Sequence, residues 1–203
     1  MMFLEDNGRP IKYATLLSGG MDSSTLLYSQ LTAGQVAVTV DYGQSHRREI
    51  DAAARLCEML DVDHVIVKIS GLAGGSLLGR DGSFVGDDTV VPGRNGILIG
   101  VAVNVAAENG CNRISIGCNK NDRQTYKDCR SEYLQSIGKS IAMSTGIRLC
   151  FPFASMSKGE VRELGKRLGV PFEDTWSCYR GLEEPCGKCG ACIEVGGSRE
   201  ISD

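Results

Sequence analysis

Residues 18–25 read Ser-Gly-Gly-Met-Asp-Ser-Ser-Thr, with an apolar run, 11–17, before them and a helix-like segment, 26–31, after them. Strand, glycine turn, helix is a context in which a backbone wraps a phosphate group. Gly19 and Gly20 have no Cβ, so the turn is free to take positive φ and to approach a ligand closely. Asp22, Ser23, Ser24 and Thr25 fall at the helix start, where unpaired N–H groups and the helix dipole favour an anion. Their hydroxyls add donors for phosphate oxygens. The stretch lacks the lysine of the G-x-x-x-x-G-K-S/T loop and the spacing of G-x-G-x-x-G. The plain alternative is an ordinary strand-to-helix turn with Asp22 or Ser23 as N-cap. The full octamer behind an apolar strand weighs against it.

Outward from this loop the chain alternates. Residues 11–17 predict a first strand and 22–33 a first helix ending near Gly34. The valine-rich 35–41 predicts a buried second strand. Residues 45–60 predict a helix, because Ile50, Ala53, Ala54, Leu56, Cys57 and Leu60 recur at helical spacing. A third strand follows at 64–69. The order β-α-β-α-β favours a parallel sheet with right-handed crossovers. Residues 70–93 break the rhythm with Gly71, Gly74, Gly75, Gly79, Gly82 and Gly86 and the pair Asp87–Asp88. A loop this long in a compact domain reads as a mobile lid or insertion beside the ligand site. Thereafter 94–108 predicts a small-residue helix, 113–117 a fourth strand and 118–130 a polar irregular run. Residues 131–145 predict a helix, 147–150 a fifth strand, and 157–169 a last helix opened by the capping box Ser157-Lys158-Gly159-Glu160. In such a sheet, ligands sit beyond the C-terminal strand ends where strand order reverses. The loops beginning at Ser18, Asp41, Ser70, Cys118 and Phe151 gather there. The fold class is therefore α/β, a Rossmann-like parallel sheet.

The 203 residues suffice for one α/β domain plus a small appendage. A net charge of −3, with both signs dispersed, gives no electrostatic footprint for nucleic acid or an acidic membrane. No apolar run reaches the length of a membrane span. Residues 1–10 hold Glu5 and Asp6 and no apolar stretch, so no secretory leader is read there. A cytoplasmic location is the expectation.

Of nine cysteines, Cys178, Cys186, Cys189 and Cys192 are bunched as C-x7-C-x2-C-x2-C. A bunched set in a reducing compartment reads as a metal site before a disulfide. Four thiolates complete a tetrahedral Zn²⁺ with no open position, the pattern of a structural site. Gly187 and Gly190 permit the tight turns. An iron–sulfur cluster also takes four thiolates, so spacing leaves that alternative open. The division expected is an α/β domain over 1–174, carrying the glycine loop, and a four-cysteine segment over 175–203.

The octamer resembles the pyrophosphate-binding loop of the ATP pyrophosphatases. With the cysteine cluster added, the chain resembles one family in particular, the 7-cyano-7-deazaguanine synthases. The text that carries this is L-S-G-G-M-D-S-S-T at 17–25, D-Y-G-Q-S-H at 41–46, V-P-G-R-N at 91–95, Y-K-D-C-R at 126–130, T-W-S-C-Y-R at 175–180 and C-G-K-C-G-A-C at 186–192. The resemblance implies an ATP-dependent C–N ligase that turns 7-carboxy-7-deazaguanine and ammonia into the 7-cyano compound through adenylated intermediates, with Mg²⁺ accompanying ATP. It implies a homodimer, and neither nucleic-acid nor membrane partners. No glutaminase nucleophile stands out, so ammonia is expected free or from a separate donor.

The resemblance also assigns roles. Leu17, Ser18, Gly19, Gly20, Met21, Asp22, Ser23, Ser24 and Thr25 bind ATP phosphates, Asp22 also contacting Mg²⁺, and Val40 and Tyr42 lie near adenine. Asp22, Arg94 and Lys158 form the catalytic set, with Arg94 neutralising either phosphate or the substrate carboxylate. Asn95, Asn119, Asp122, Asp128 and Arg130 read the deazaguanine edge. Trp176 either stacks on the base or packs on the metal segment, the second being preferred. His46 either carries protons or caps the following helix. The run Asp122-Arg123-Gln124-Thr125-Tyr126-Lys127-Asp128-Cys129-Arg130 departs from the family text by gaining Arg123 and Lys127 and losing a proline. If that loop faces substrate, the change leaves two outcomes open, a reaction that runs through to the nitrile and a variant that stops at the amide. A more remote alternative is an ATP-pyrophosphatase that thiolates tRNA, for which a basic surface is wanting.

Overall fold

Valines set the centre of the sheet. Val36, Val38 and Val40 alternate with Ala37 and Thr39 along one strand, and all are buried. Strand side chains point to opposite faces in turn, so a strand buried throughout must be covered on both sides. The computed structural model describes residues 8–44, 46–72, 89–180 and 182–196. In it, β1 (Tyr13–Leu16), β2 (Val36–Asp41), β3 (Asp63–Lys68), β4 (Arg113–Ser115) and β5 (Arg148–Cys150) form a parallel sheet in the order β3-β2-β1-β4-β5. The helices are α1 (Met21–Ser29), α2 (Arg48–Leu60), α3 (Arg94–Glu108), α4 (Asp122–Thr125), α5 (Ser131–Thr145), α6 (Lys158–Leu168) and α7 (Gly190–Gly196).

One face of the sheet carries α3 and α5. There Val36, Val38 and Val40 meet Ile99, Ala102, Ala106 and Leu134. The small residues of α3 let its axis lie close to β1, β2 and β4. The other face holds Leu17, the residue just past β1, with Leu27 of α1, Ala37 of β2, and Ala53 and Cys57 of α2. On that side α6 packs against α1, with Leu26, Phe153 and Val161 in a common cluster. Gly165 makes the contact close, since a Cβ there would stand 2.5 Å from the Phe172 ring and 2.6 Å from the Thr25 hydroxyl. Each fully buried leucine or isoleucine in these clusters contributes about 2 kcal/mol relative to exposure.

The structure trims the sequence expectations. The strand expected over 11–17 is Tyr13–Leu16, and β4 and β5 are three residues each. The helix expected from 45 begins at Arg48. The run 118–130 is not uniformly irregular, for it holds α4 and a 3-10 turn at Lys127–Cys129. Helix α7 was not foreseen. The α6 capping box is formed in both directions: Glu160 N donates to Ser157 Oγ at 3.3 Å, and Ser157 N donates to Glu160 Oε2 at 2.7 Å. Most of the glycine-rich loop, residues 73–88, lies outside the described residues, and the lid expected there with it. Among the described residues no helix is long and apolar enough to cross a membrane.

Candidate functional site

Strand order reverses between β1 and β4, and the loops leaving these neighbours part in opposite directions. A cavity of about 250 Å³ opens there, at the C-terminal ends of β1, β2 and β4. Of the residues singled out from sequence, Leu17, Ser18, Gly20, Met21, Asp22, Ser23, Val40, Tyr42, Arg94, Asn95, Asp122 and Lys158 line it. Gly19, Ser24, Thr25, Asn119, Asp128 and Arg130 do not.

Gly20, and neither Asp22 nor Ser23, is the N-cap of α1, and it has no side chain with which to cap the helix. Its first turn therefore keeps amide donors for a ligand. The loop holds its own shape. Ser18 N donates to Ser23 Oγ at 3.1 Å, and Ser23 Oγ and Ser24 Oγ donate to Gly20 O at 3.1 and 2.8 Å. Thr25 Oγ1 is likewise turned to Met21 O, at 2.8 Å. The hydroxyls of Ser24 and Thr25 thus brace the turn, and only Ser18 and Ser23 reach the cavity wall. Gly19 has φ +86°, and a Cβ on it would stand 2.0 Å from Glu49 O of α2. This position demands glycine twice over.

Asp22 is the electrostatic centre of one side. Its Oδ2 accepts from Lys158 Nζ at 2.6 Å and from Asn119 Nδ2 at 3.3 Å, while Oδ1 is buried with no hydrogen-bond partner among the described residues. An orphaned carboxylate oxygen facing an anion-binding loop suits a hard cation with oxygen ligands. Burial pushes the Asp22 carboxyl up from its ordinary range, and Lys158 opposes it. Burial would lower the Lys158 ammonium, but Asp22, Asp122 and Glu194 hold it above its ordinary value. Glu194 of α7 stands 3.5 Å from Lys158 Nζ. Asp122 is pushed up to about 6, chiefly by burial, against the Asn119 N–H it accepts at 2.9 Å. Asn119 is fully buried; its Oδ1 accepts from the N–H groups of Asn121 and Asp122 at 2.8 and 3.2 Å. It braces Asp22 and Asp122 from behind the cavity.

Arg94 dominates another side. Its guanidinium carbon lies 6.0 Å from the Tyr42 ring centre and 5.7 Å from that of Tyr126, and Nη1 donates to the Tyr42 hydroxyl at 3.5 Å. Burial pushes Tyr42 up to about 12, so Arg94 faces a neutral Tyr42 phenol, and no carboxylate bonds it among the described residues. It is free to receive an anion there. The start of α3 is fixed by Asp128, whose Oδ2 accepts from Asn95 N at 3.0 Å; Asn95 Nδ2 donates to Cys129 Sγ at 3.1 Å. Asp128 thus acts as a helix cap set back from the cavity. Arg130 is exposed and donates from Nε to Arg123 O at 3.4 Å, away from it. Arg123 turns to Ser131 Oγ at 3.2 Å and Lys127 is exposed. Neither lines the cavity, so the residues that depart from the family text do not face it.

Several lining residues were missed or left undecided: Glu49, Tyr126, Ser177, Tyr179, and the thiols Cys118 and Cys129, 3.3 Å apart. Ser177 and Tyr179 sit in the T-W-S-C-Y-R run, and that motif was the available signal. The C-terminal segment reaches back to the glycine loop. Trp176 N donates to Gly19 O at 2.8 Å, and Met21 N donates to Ser177 Oγ at 3.4 Å. Trp176 packs with the cysteine cluster, donates from its indole to Cys178 O at 3.0 Å, and carries Arg48 at 5.4 Å from its ring centre, yet it also lines the cavity. The preferred reading, packing on the metal segment, describes its place, and the side chain also borders the cavity. His46 does not cap α2; it lies in the cavity wall beside Glu49. The Sγ atoms of Cys178, Cys186, Cys189 and Cys192 all lie within 4.8 Å of one another, a set able to hold a metal ion. Tetrahedral zinc with bonds of about 2.3 Å needs sulfurs about 3.8 Å apart.

Residues 12–196 match the model of a family described as queuosine biosynthesis protein QueC. The chain belongs to that family. It is 36% identical over 200 residues to a 7-cyano-7-deazaguanine synthase from Archaeoglobus fulgidus, covering 91% of this chain and 84% of that one. It is 40% identical over 194 residues to the synthase so named from Alteromonas mediterranea, covering 88% and 89%. Among solved structures it is similar to the U34-tRNA thiolase NcsA from Methanococcus maripaludis with its [4Fe-4S] cluster, at TM-score 0.56 and 23% identity over 83% of this chain and 61% of that one. It is also similar to NMN synthetase from Francisella tularensis, at TM-score 0.54 and 20% identity over 85% and 68%. At these identities the structural likenesses establish the fold alone.

Proposed function

We propose that the protein is an ATP-dependent 7-cyano-7-deazaguanine synthase. The observation that carries this is one cavity uniting the Ser-Gly-Gly-Met-Asp-Ser loop, the Asp22–Lys158 pair and Arg94, in a chain that belongs to this family. Residues 17–25 bind the β and γ phosphates, mainly through the uncapped start of α1. Val40 and Tyr42 sit against adenine at the end of β2. Lys158 meets the charge that builds as pyrophosphate leaves. Arg94 holds the substrate carboxylate, and Asn95 and Asp122 meet the base. Residues 1–174 form the ATP domain and 175–203 the metal segment, working as a homodimer in the cytoplasm.

A carboxylate is a poor electrophile. Its oxygen attacks the α-phosphorus of ATP and pyrophosphate leaves; ammonia then displaces AMP to give the amide. The amide oxygen is adenylated in turn, and loss of AMP leaves the nitrile. Side chains are asked for position and charge rather than covalent chemistry. Asp22, through Oδ1, would hold a Mg²⁺ arriving with ATP, whose chemistry when bound is to neutralise phosphate oxygens. The four cysteines would hold Zn²⁺ with no open coordination position, and their function is to fix the segment that carries Trp176, Ser177 and Tyr179.

The test is incubation with 7-carboxy-7-deazaguanine, ATP, Mg²⁺ and ammonium, with products followed by mass spectrometry. Nitrile with two AMP per turnover is expected. Amide accumulating with one AMP, or no AMP at any ammonium concentration, overturns the assignment. Metal analysis is expected to return about one zinc per chain and no iron.

A further inference from the structure

The second half of the proposed reaction has a proton problem that the first half lacks. Ammonia arrives from solution, and further ammonia is available to take the proton released when it attacks. In the second half the amide oxygen attacks phosphorus, pyrophosphate leaves, and nitrogen gives up one proton to form the neutral O-adenylated imidate. When the C–O bond breaks and AMP departs with its electron pair, nitrogen gives up a second proton as the triple bond forms. Both protons leave the substrate inside the cavity, and an acceptor there must take them.

We propose that His46, oriented by Glu49, is the proton acceptor of this nitrile-forming half-reaction, an inference that rests on the function proposed above. His46 is 4% exposed and lines the cavity. Its Nε2 lies 3.2 Å from Glu49 Oε2, and Glu49 Oε1 accepts from Gln44 Nε2 at 2.9 Å. Gln44 is itself locked, accepting from Tyr42 N at 2.9 Å and donating to Val40 O at 3.3 Å. The carboxylate therefore has both oxygens engaged and directs the Nε2 proton toward itself, which leaves a lone pair on Nδ1. Nδ1 is buried and has no hydrogen-bond partner among the described residues. A buried, unmet ring nitrogen is destabilising, and a substrate N–H would meet it. Tyr179 stands edge-on to the imidazole at 5.7 Å between ring centres, a neutral neighbour whose hydroxyl burial pushes up. Glu49 also lies within electrostatic reach of Arg94, so the pair sits on the side of the cavity where the substrate carboxylate carbon is proposed to be held.

The other lining groups are poorer acceptors. Arg94 and Lys158 are held protonated, Tyr42 is a neutral phenol, and Asp22 is engaged with Lys158. Asp122 is the rival, being a carboxyl near neutrality in the same cavity.

The experiment feeds 7-amido-7-deazaguanine, ATP and Mg²⁺ to the intact protein and measures nitrile, and separately measures pyrophosphate exchange with the carboxylate substrate. General-base catalysis is worth about 10²–10⁴-fold. His46→Gln is expected to slow nitrile formation at least about 100-fold while the exchange falls far less, so that amide accumulates from the carboxylate. Glu49→Gln is expected to lie between wild type and His46→Gln. Added imidazole is expected to restore nitrile formation to His46→Ala, which a purely structural role would not allow. Wild-type nitrile rates in His46→Gln overturn the inference, and point to the departing AMP as the acceptor. So does an equal loss in both assays without imidazole rescue, or a selective loss of nitrile in Asp122→Asn instead. A wild-type protein that makes neither product fails the proposed function itself, which is a different outcome.

Discussion

Gly19→Ala and Gly43→Ala form a matched pair of perturbations. Both glycines have positive φ, +86° and +82°. A side chain in that region costs about 1–2 kcal/mol wherever it stands. The two sites differ in their surroundings. A Cβ at Gly43 meets nothing within 4 Å among the described residues, whereas one at Gly19 stands 2.0 Å from Glu49 O and 2.8 Å from Ala53 N. Those neighbours are backbone of α2 and cannot rotate away. The carbonyl must retreat by about 1 Å, and overpacking of this kind adds about 1–3 kcal/mol. For a chain of this size each kcal/mol lowers Tm by about 2–4 °C. At about 3 °C per kcal/mol, Gly43→Ala is therefore expected to lose about 3–6 °C, and Gly19→Ala about 6–15 °C, by calorimetry. Retreat of Glu49 also shifts His46 and the loop, so Gly19→Ala is expected to lose AMP formation out of proportion to its fraction folded at 25 °C. Equal Tm losses in the two variants would refute the reading that close approach, rather than φ alone, demands glycine at 19.

Lys158→Met leaves the Asp22 carboxylate without its cation in a mostly buried site, and is expected to cost about 2–3 kcal/mol in urea unfolding. The double variant with Asp22→Asn is expected to recover at least half of that while remaining inactive. Asp122 has a folded pKa near 6 against an ordinary 3.8, so the folded chain holds a proton that the unfolded chain releases. Its contribution to stability is full below about pH 4 and is lost as pH rises through 6. Asp122→Asn is therefore expected to match wild type near pH 4 and to exceed it by about 2 kcal/mol at pH 7, after allowance for screening, in nucleotide-free protein. Removing metal from the cysteines is expected to free the hydrogen bond from Trp176 N to Gly19 O. Since Trp176 is the only tryptophan, its emission should shift to the red in step with lost activity, and zinc should restore both.

The parts of the fold that were legible in the sequence are those whose cause is local. The α6 capping box is written in two residues three apart, and both of its hydrogen bonds form. The valines of β2 announce a strand buried on both faces, and the small residues of α3 a helix packed close to the sheet. The parts that were not legible depend on distant partners. Asn95 and Asp128 looked like two readers of a base. In the fold they bond to each other across 33 residues, and one of them is a helix cap. Helix α7 is seven residues long and is packed by cysteines rather than by an apolar stripe, so no periodicity marks it. The bond from Trp176 to Gly19 joins two backbones, which any pair of residue types could supply.

Gly19 shows why the loop, the His46–Glu49 pair and the metal segment belong to one device. Its missing Cβ admits the backbone of Glu49, and the same glutamate orients His46 in the cavity wall. Its carbonyl accepts the N–H of Trp176, two residues ahead of Cys178. The strand-to-helix turn that gives α1 its uncapped N-terminus is thus held from α2 on one side and from the cysteine segment on the other. A phosphate loop needs only glycine's freedom of φ. Approach to 2.0 Å of a hypothetical Cβ is a stricter demand, and it comes from α2 rather than from the nucleotide. Gly20, the next residue, has no such close approach, its nearest neighbours being the hydroxyls of Ser18 and Ser177 at 3.4 and 3.5 Å and the carbonyl oxygen of Trp176 at 3.5 Å, all in ordinary contact. Of two adjacent glycines that look alike in the sequence, the first therefore couples anion binding to the placement of the proton acceptor, and the second leaves the mouth of the loop open.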